Sequence, residues 1–161
     1  MNLNQFKMSG EVGDLDLSMC SGESVFSCLF DPTDTSNELV AGEGCELFDL
    51  GADDQIGAPI VGIRATENDP IFGVLKRNSA QSTKEGGQIV EVATAGSVVR
   101  MKAAGALARG VAVTLVLATP GQVKAVGDFA KFGITLDKAT QANDVIRVLI
   151  QADGVTAGTA Q

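Results

Sequence analysis

Phe72-Gly73-Val74-Leu75-Lys76, a polar loop, then Gln88-Ile89-Val90-Glu91-Val92: this stretch decides the reading of the chain, because it is written twice. The second writing is Phe132-Gly133-Ile134-Thr135-Leu136, a polar loop, then Asp144-Val145-Ile146-Arg147-Val148. Working outward, Leu39-Val40-Ala41-Gly42 leading to Cys45 and Leu47 matches Leu107-Ala108-Arg109-Gly110 leading to Val113 and Leu115. Farther toward the N-terminus, Ser24-Val25-Phe26-Ser27 matches Ser97-Val98-Val99-Arg100. Three anchors in one order make coincidence a poor explanation. Residues 24–93 and 94–151 therefore read as two copies of one β unit, the first with longer loops. Phe72 and Phe132 are expected at equivalent, largely buried positions.

Each copy breaks into short apolar runs. In the first these are Val25–Phe30, Gly44–Leu50, Pro59–Arg64, Ile71–Lys76 and Gln88–Ala93; in the second, Ser97–Ala103, Val111–Leu117, Gln122–Val126, Phe129–Leu136 and Val145–Gln151. Runs of this length, separated by Gly, Pro, Asn and Asp, predict an all-β protein, a sandwich or barrel of two tandem related units. Val111–Leu117 is apolar on both faces and is expected to be a central strand. Thr119-Pro120-Gly121 places Pro and Gly in the order a turn favours. Only Met101–Leu107 has a helix-forming composition, and Gly105 interrupts it. Ahead of both copies, residues 1–23 form an N-terminal extended arm or edge strand. There Leu15, Leu17 and Met19 alternate with Asp14, Asp16 and Ser18, as in a half-buried strand. Residues 152–161 are small and polar and read as a flexible tail.

Composition narrows the chemistry. The chain has no histidine, which removes Ser-His-Asp triads, Cys-His pairs and histidine-ligated metals. Cys20, Cys28 and Cys45 contain no C-x-x-C pair and are expected to be small buried apolar residues. Asp31, Asp34, Asn37 and Glu38 carry oxygen ligands. A calcium loop of the EF-hand kind, however, needs Gly at its sixth position and Glu at its twelfth, where Ser36 and Gly42 stand. Asp53-Asp54 and the Asp14/Asp16 pair are better explained as exposed acidic segments than as paired catalytic carboxylates, and no glycine-rich phosphate loop follows a strand. No enzyme activity, cofactor or metal is expected. The N-terminus lacks a signal-peptide pattern, and the longest apolar run, around Val111–Ala118, falls far short of the roughly 20 residues that span a bilayer, so no membrane partner is expected.

Charge is divided between the copies. Residues 1–70 hold 14 acidic and two basic side chains, a net −12; residues 71–161 hold six acidic and ten basic, a net +4. Two readings stand: surfaces whose charges drifted apart, or complementarity between halves, within one chain or head to tail between subunits. The basic residues are scattered singly without stacking aromatics, which disfavours a nucleic-acid partner. Arg100, Lys102 and Arg109 are the candidate basic contacts, with Leu15, Leu17 and Met19 of the arm as the apolar ones. Lys102 invites comparison with the carrier lysine of a biotinyl domain. It lies instead in the alternating strand Ser97–Ala103, with Val99 and Met101 on one face and Arg100 and Lys102 on the other.

Gly96-Ser97-Val98-Val99-Arg100-Met101-Lys102, then Ala106-Leu107-Ala108-Arg109-Gly110-Val111-Ala112-Val113, Phe132-Gly133 and Val145-Ile146-Arg147-Val148-Leu149-Ile150, resemble a family of capsid decoration, or cement, proteins of tailed phages. The resemblance covers residues 96–151 best, 24–93 less closely, and 1–23 not at all. It implies a β-rich fold, no catalytic residues, and a homo-oligomer, often a trimer, on the outer surface of a virion where it meets the major capsid protein. No individual site residues carry over. Two other expectations remain open: a different phage head or tail component, and a non-enzymatic β-barrel carrier or small-ligand module. The ligand module should be monomeric and contain a pocket lined by converging polar groups.

Overall fold

The computed structural model describes residues 24–32, 40–47, 59–76 and 87–151. The N-terminal arm with Leu15, Leu17 and Met19, the oxygen-bearing side chains Asp34, Asn37, Glu38, Asp53 and Asp54, and the tail lie outside the described residues. Within them the chain is all β, two five-stranded closed barrels in tandem. Unit 1 comprises β1 (Val25–Phe30), β2 (Gly44–Leu47), β3 (Ile60–Ile63), β4 (Gly73–Leu75) and β5 (Ile89–Ala93). Unit 2 comprises β6 (Val98–Ala103), β7 (Ala112–Leu115), β8 (Gln122–Ala125), β9 (Gly133–Thr135) and β10 (Val145–Ile150).

The strand order around unit 1 is β1-β3-β2-β4-β5, and around unit 2 it is β6-β8-β7-β9-β10, with β10 returning to β6. In each barrel one pair is parallel, β1 with β3 and β6 with β8, and the other four are antiparallel. Closure leaves no free sheet edge in either unit.

Register carries the duplication down to single hydrogen bonds. The strand pairings place Val25 at the position of Val98, Cys45 at Val113, Phe72 at Phe132 and Val92 at Val148, the alignment expected from the sequence. Phe72 N donates to Cys45 O at 2.8 Å, and Phe132 N to Val113 O at 2.8 Å. Thr94 N donates to Ser24 O as Ile150 N does to Ser97 O. Gly42 and Gly110, matched in sequence, share a left-handed backbone (φ 83° and 78°) and donate to Leu75 O and Thr135 O.

Glycine is required at two matched points. A Cβ on Gly73 would press into the carbonyl oxygen of Ala93, and one on Gly133 into that of Leu149. The β4–β5 and β9–β10 crossings are therefore too close for any side chain, which lets so few strands close on a narrow core. Turn chemistry holds as expected at Thr119-Pro120-Gly121, where Gln122 N donates back to Thr119 O and Gly121 has φ 80°.

Side chains that point inward fill each barrel. Unit 1 packs Cys28, Phe30, Cys45, Val61, Leu75, Val90 and Val92. Unit 2 packs Val99, Met101, Ala103, Val113, Leu115, Val123, Phe132, Ile146, Val148 and Ile150, with Leu107 and Ala139 from its loops. Three side chains in this second cluster belong to unit 1: Ile71, Val74 and Ala93. Val74 and Ala93 are cross-strand partners pointing away from their own barrel. Two expectations need correction. Phe72 occupies the position of Phe132 but is only half-buried, stacking on exposed Phe26 with ring centroids 5.9 Å apart, whereas Phe132 is fully buried. The strand expected over Val111–Leu117 is paired on both sides, with β8 and β9, but is shorter: β7 spans Ala112–Leu115, and Leu117 is exposed.

Candidate functional site

Residues that the sequence separates widely meet where unit 1 abuts unit 2. Thr94-Ala95-Gly96-Ser97 links the barrels as a turn, Ser97 N donating to Thr94 O. Ser24 lies beside it because β1 pairs with β5. Its N–H donates to Ser97 Oγ, while Ser97 Oγ and Thr94 Oγ1 both donate to Ser24 O, each at 3.1 Å. These small hydroxyls tie the starts of β1 and β6 together.

The flank of the junction is charged. Lys124, outward on β8, reaches both carboxylate oxygens of Glu67 at 2.8 Å and lies 4.3 Å from the centroid of the Phe129 ring. Ala130 N donates to Glu67 O, and Gly121 N to Gly42 O. The loop carrying Glu67 is held from beneath by Arg64, a buried guanidinium whose Nε donates to Asp69 O at 3.2 Å and whose Nη2 donates to Glu67 O at 2.9 Å. Burial lowers the Arg64 pKa, opposed by the charges of Asp69, Glu46 and Glu67. Burial also raises Glu46, reinforced by Asp69 and countered by Arg64. Glu43 is likewise raised by burial, against a hydrogen bond from Val40 N.

Gly42, Gly44, Arg64, Leu115, Leu117 and Pro120 help to line a cleft in this junction of about 20 Å³, space for about one water. Leu115 closes it: its side chain occupies the space a Cβ on Gly44 would need. No group of three metal-ligating side chains occurs among the described residues. Cys28 and Cys45 are buried thiols in the unit 1 core. Burial pushes Cys28 up to about 11 and raises Cys45 further, with Glu43 adding to the effect. Both are poor nucleophiles near neutrality.

Of the sequence candidates, Arg100, Lys102 and Arg109 lie within the described residues, on unit 2, and Leu15, Leu17 and Met19 lie outside them. Arg100 and Lys102 point outward from β6, opposite buried Val99 and Met101, and Lys102 is exposed. Arg100 lies across the ladder from Arg147, a like-charge pairing that Asp137 relieves. Asp137 accepts from Arg147 Nε at 2.8 Å and Nη2 at 2.7 Å, and these bonds hold its carboxyl below the ordinary range, with the Arg109 charge adding to the effect. Arg109 is exposed on the turn before Gly110. The matching site in unit 1 reverses the signs: Glu91 stands where Arg147 does, paired with Lys76 at 3.3 Å. Both pairs lie within residues 71–161 and leave its net charge unchanged, whereas Glu67–Lys124 joins the two halves. Nine of the 14 acidic residues in 1–70 lie outside the described residues.

Sequence reasoning missed the junction. Its one trace is that Val74 and Ala93, alternating with inward-facing Leu75 and Val92, point outward yet are apolar, which alone does not set them apart from ordinary strand residues. No protein-family model matches the chain, and no curated protein matches it.

Proposed function

We propose that this protein is a structural subunit of a phage virion, a decoration or cement protein on the outside of the head that bridges neighbouring copies of the major capsid protein. The reading rests on the sequence resemblance and on one structural observation. The tandem barrel leaves Phe26, Val40, Leu47 and Ile89 exposed on unit 1, and Leu117, Phe129 and Val145 exposed on unit 2. Beside this apolar surface, the junction cleft has room for about one water. Exposed apolar side chains of this kind suit a protein that covers another surface. Stabilisation of a shell needs only apolar area removed from water, at about 25 cal/mol per Å². It does not need a catalytic group. Homo-oligomerisation, with a trimer as the favoured form, belongs to the same proposal.

The test is co-sedimentation of purified protein with DNA-free heads of the phage that carries the gene, followed by cryo-electron microscopy. Saturable binding, with added density on the outer surface where capsid subunits meet, is the expected result. No binding to the shells, or density confined to a tail, overturns it.

A further inference from the structure

The contact that unit 1 makes with unit 2 has two halves, and each has an unused counterpart elsewhere in the same chain. On unit 2, Val99, Leu115 and Phe132 are 0%, 3% and 0% exposed and belong to the core cluster that takes in Ile71, Val74 and Ala93 of unit 1. The strand registers place Phe26, Leu47 and Phe72 at the same three positions of unit 1. There Phe26 is 48% exposed, Leu47 is 61% exposed and Phe72 is half-buried. The inserted half on unit 1 is Ile71, Val74 and Ala93, all buried. Their counterparts on unit 2 are Lys131, Ile134 and Leu149, and all three are only half-buried. One end of unit 1 is thus an open socket, and one face of unit 2 is a matching plug.

We propose that the plug of one chain seats on the socket of a second copy, repeating between chains the contact already made once within each chain. The second copy is the occupant for two reasons. A surface of this backbone geometry already fills the equivalent socket in unit 2. Charge also favours it, since the socket belongs to the copy whose residues lie mostly in the −12 half, and the plug to the +4 half with Lys131 in place of Ile71. The contact is heterologous, so repetition gives a ring where the rotation closes and a filament where it does not. Glu67–Lys124 has no counterpart between chains, because Gly62 stands where Lys124 does. Apolar burial must therefore hold the joint. The inference sharpens the homo-oligomer part of the proposed function, and its test uses no capsid, so either can fail alone.

Sedimentation of the full chain and two variants decides it. Ile134→Glu disables the plug and Leu47→Glu the socket, both at solvent-exposed or half-exposed positions; unchanged circular dichroism and melting confirm folding. Wild type should exceed the 16.5 kDa of one chain. Each variant alone should associate about tenfold or more weakly. Mixed in equal amounts, the variants should form a capped heterodimer of twice one chain's mass, since one retains the socket and the other the plug. A wild type that is monomeric throughout overturns the proposal, as does assembly indifferent to both changes or a mixture that fails to pair. Assembly that begins only when residues 1–23 are deleted also overturns it, assigning the socket to the chain's own N-terminal segment.

Discussion

Unit 1 and unit 2 share a ladder and differ in what covers it. The same hydrogen bonds recur at matched positions, yet Val99 and Phe132 are sealed while Phe26 and Phe72 are not. Backbone pairing tolerates wide exchange of side chains: Cys28 and Phe30 fill the places of Met101 and Ala103. In a closed barrel it is mainly the end of the core, rather than the ladder, that registers whether a neighbour is present. The difference between the copies follows from the connection between them. Among the described residues, the other unit covers the end of unit 2 and leaves that of unit 1 open.

The sharpest way to break the equivalence is at the two close crossings. Gly73→Ala and Gly133→Ala should each cost about 3 kcal/mol, because a Cβ meets backbone carbonyl oxygen, which cannot move without opening a strand pair. Urea denaturation of both variants measures this. A large loss at one site with tolerance at the other would show that the crossings are not equivalent.

Arg64 tests the next difference. Unit 1 joins β3 to β4 through residues 65–70 and anchors that loop with a buried guanidinium; the matching position in unit 2 is Val126, ahead of a shorter connection. Arg64→Met should lose about 2 kcal/mol, since two carbonyl oxygens lose a charged donor. The same change should weaken the Glu67–Lys124 contact, visible as greater amide exchange at Ala130, whose N–H bonds Glu67 O. Stability that is unaffected would make the anchor incidental.

The repeat was legible in the sequence because strand pairing depends on local apolar runs and turn residues, which duplication copied with little change. The Ser24, Leu39 and Phe72 anchors carried four of the five strand matches, and the equivalence of β3 with β8 followed only from register. Burial at barrel ends was not legible. Whether Phe72 is covered depends on what the other unit places above it, and Phe72-Gly73 and Phe132-Gly133 look alike locally. The junction was missed for the same reason: an outward Val74 reads as an ordinary β residue until its neighbour is known. The alternation of β6 placed Arg100 and Lys102 on the face opposite Val99 and Met101, but charge totals hid the local pairs Lys76–Glu91 and Arg147–Asp137.

The thiols separate the copies by pH. A folded pKa raised above the unfolded value contributes stability that is present below the unfolded pKa and lost as pH rises through the folded one. Cys28, pushed from 9.0 up to about 11, and Cys45, raised further, are both in unit 1. Stability should therefore fall from about pH 9 upward in the wild type, and the fall should flatten in Cys28→Ala and Cys45→Ala. In a Cys20→Ser background, a thiol reagent at pH 8 should modify neither buried cysteine faster than the protein opens. An immediate reaction would place those side chains at the surface.

The smallest effect expected is that of the ion pair across the junction. Glu67 and Lys124 are a quarter and a third exposed at the side chain, so their attraction is partly screened by solvent. A double-mutant cycle with Glu67→Gln and Lys124→Met should give a coupling of about 0.5 kcal/mol that shrinks as salt rises. Ile71, Val74 and Ala93 bury apolar area in the same junction, so Val74→Ala should cost more, about 1 to 2 kcal/mol, and be insensitive to salt. That ordering matters for contact between chains, where the ion pair is missing but the apolar positions recur. A coupling larger than the Val74→Ala loss would mean that charge holds the two barrels together, and a socket facing Gly62 instead of Lys124 would then be too weak to retain a second chain.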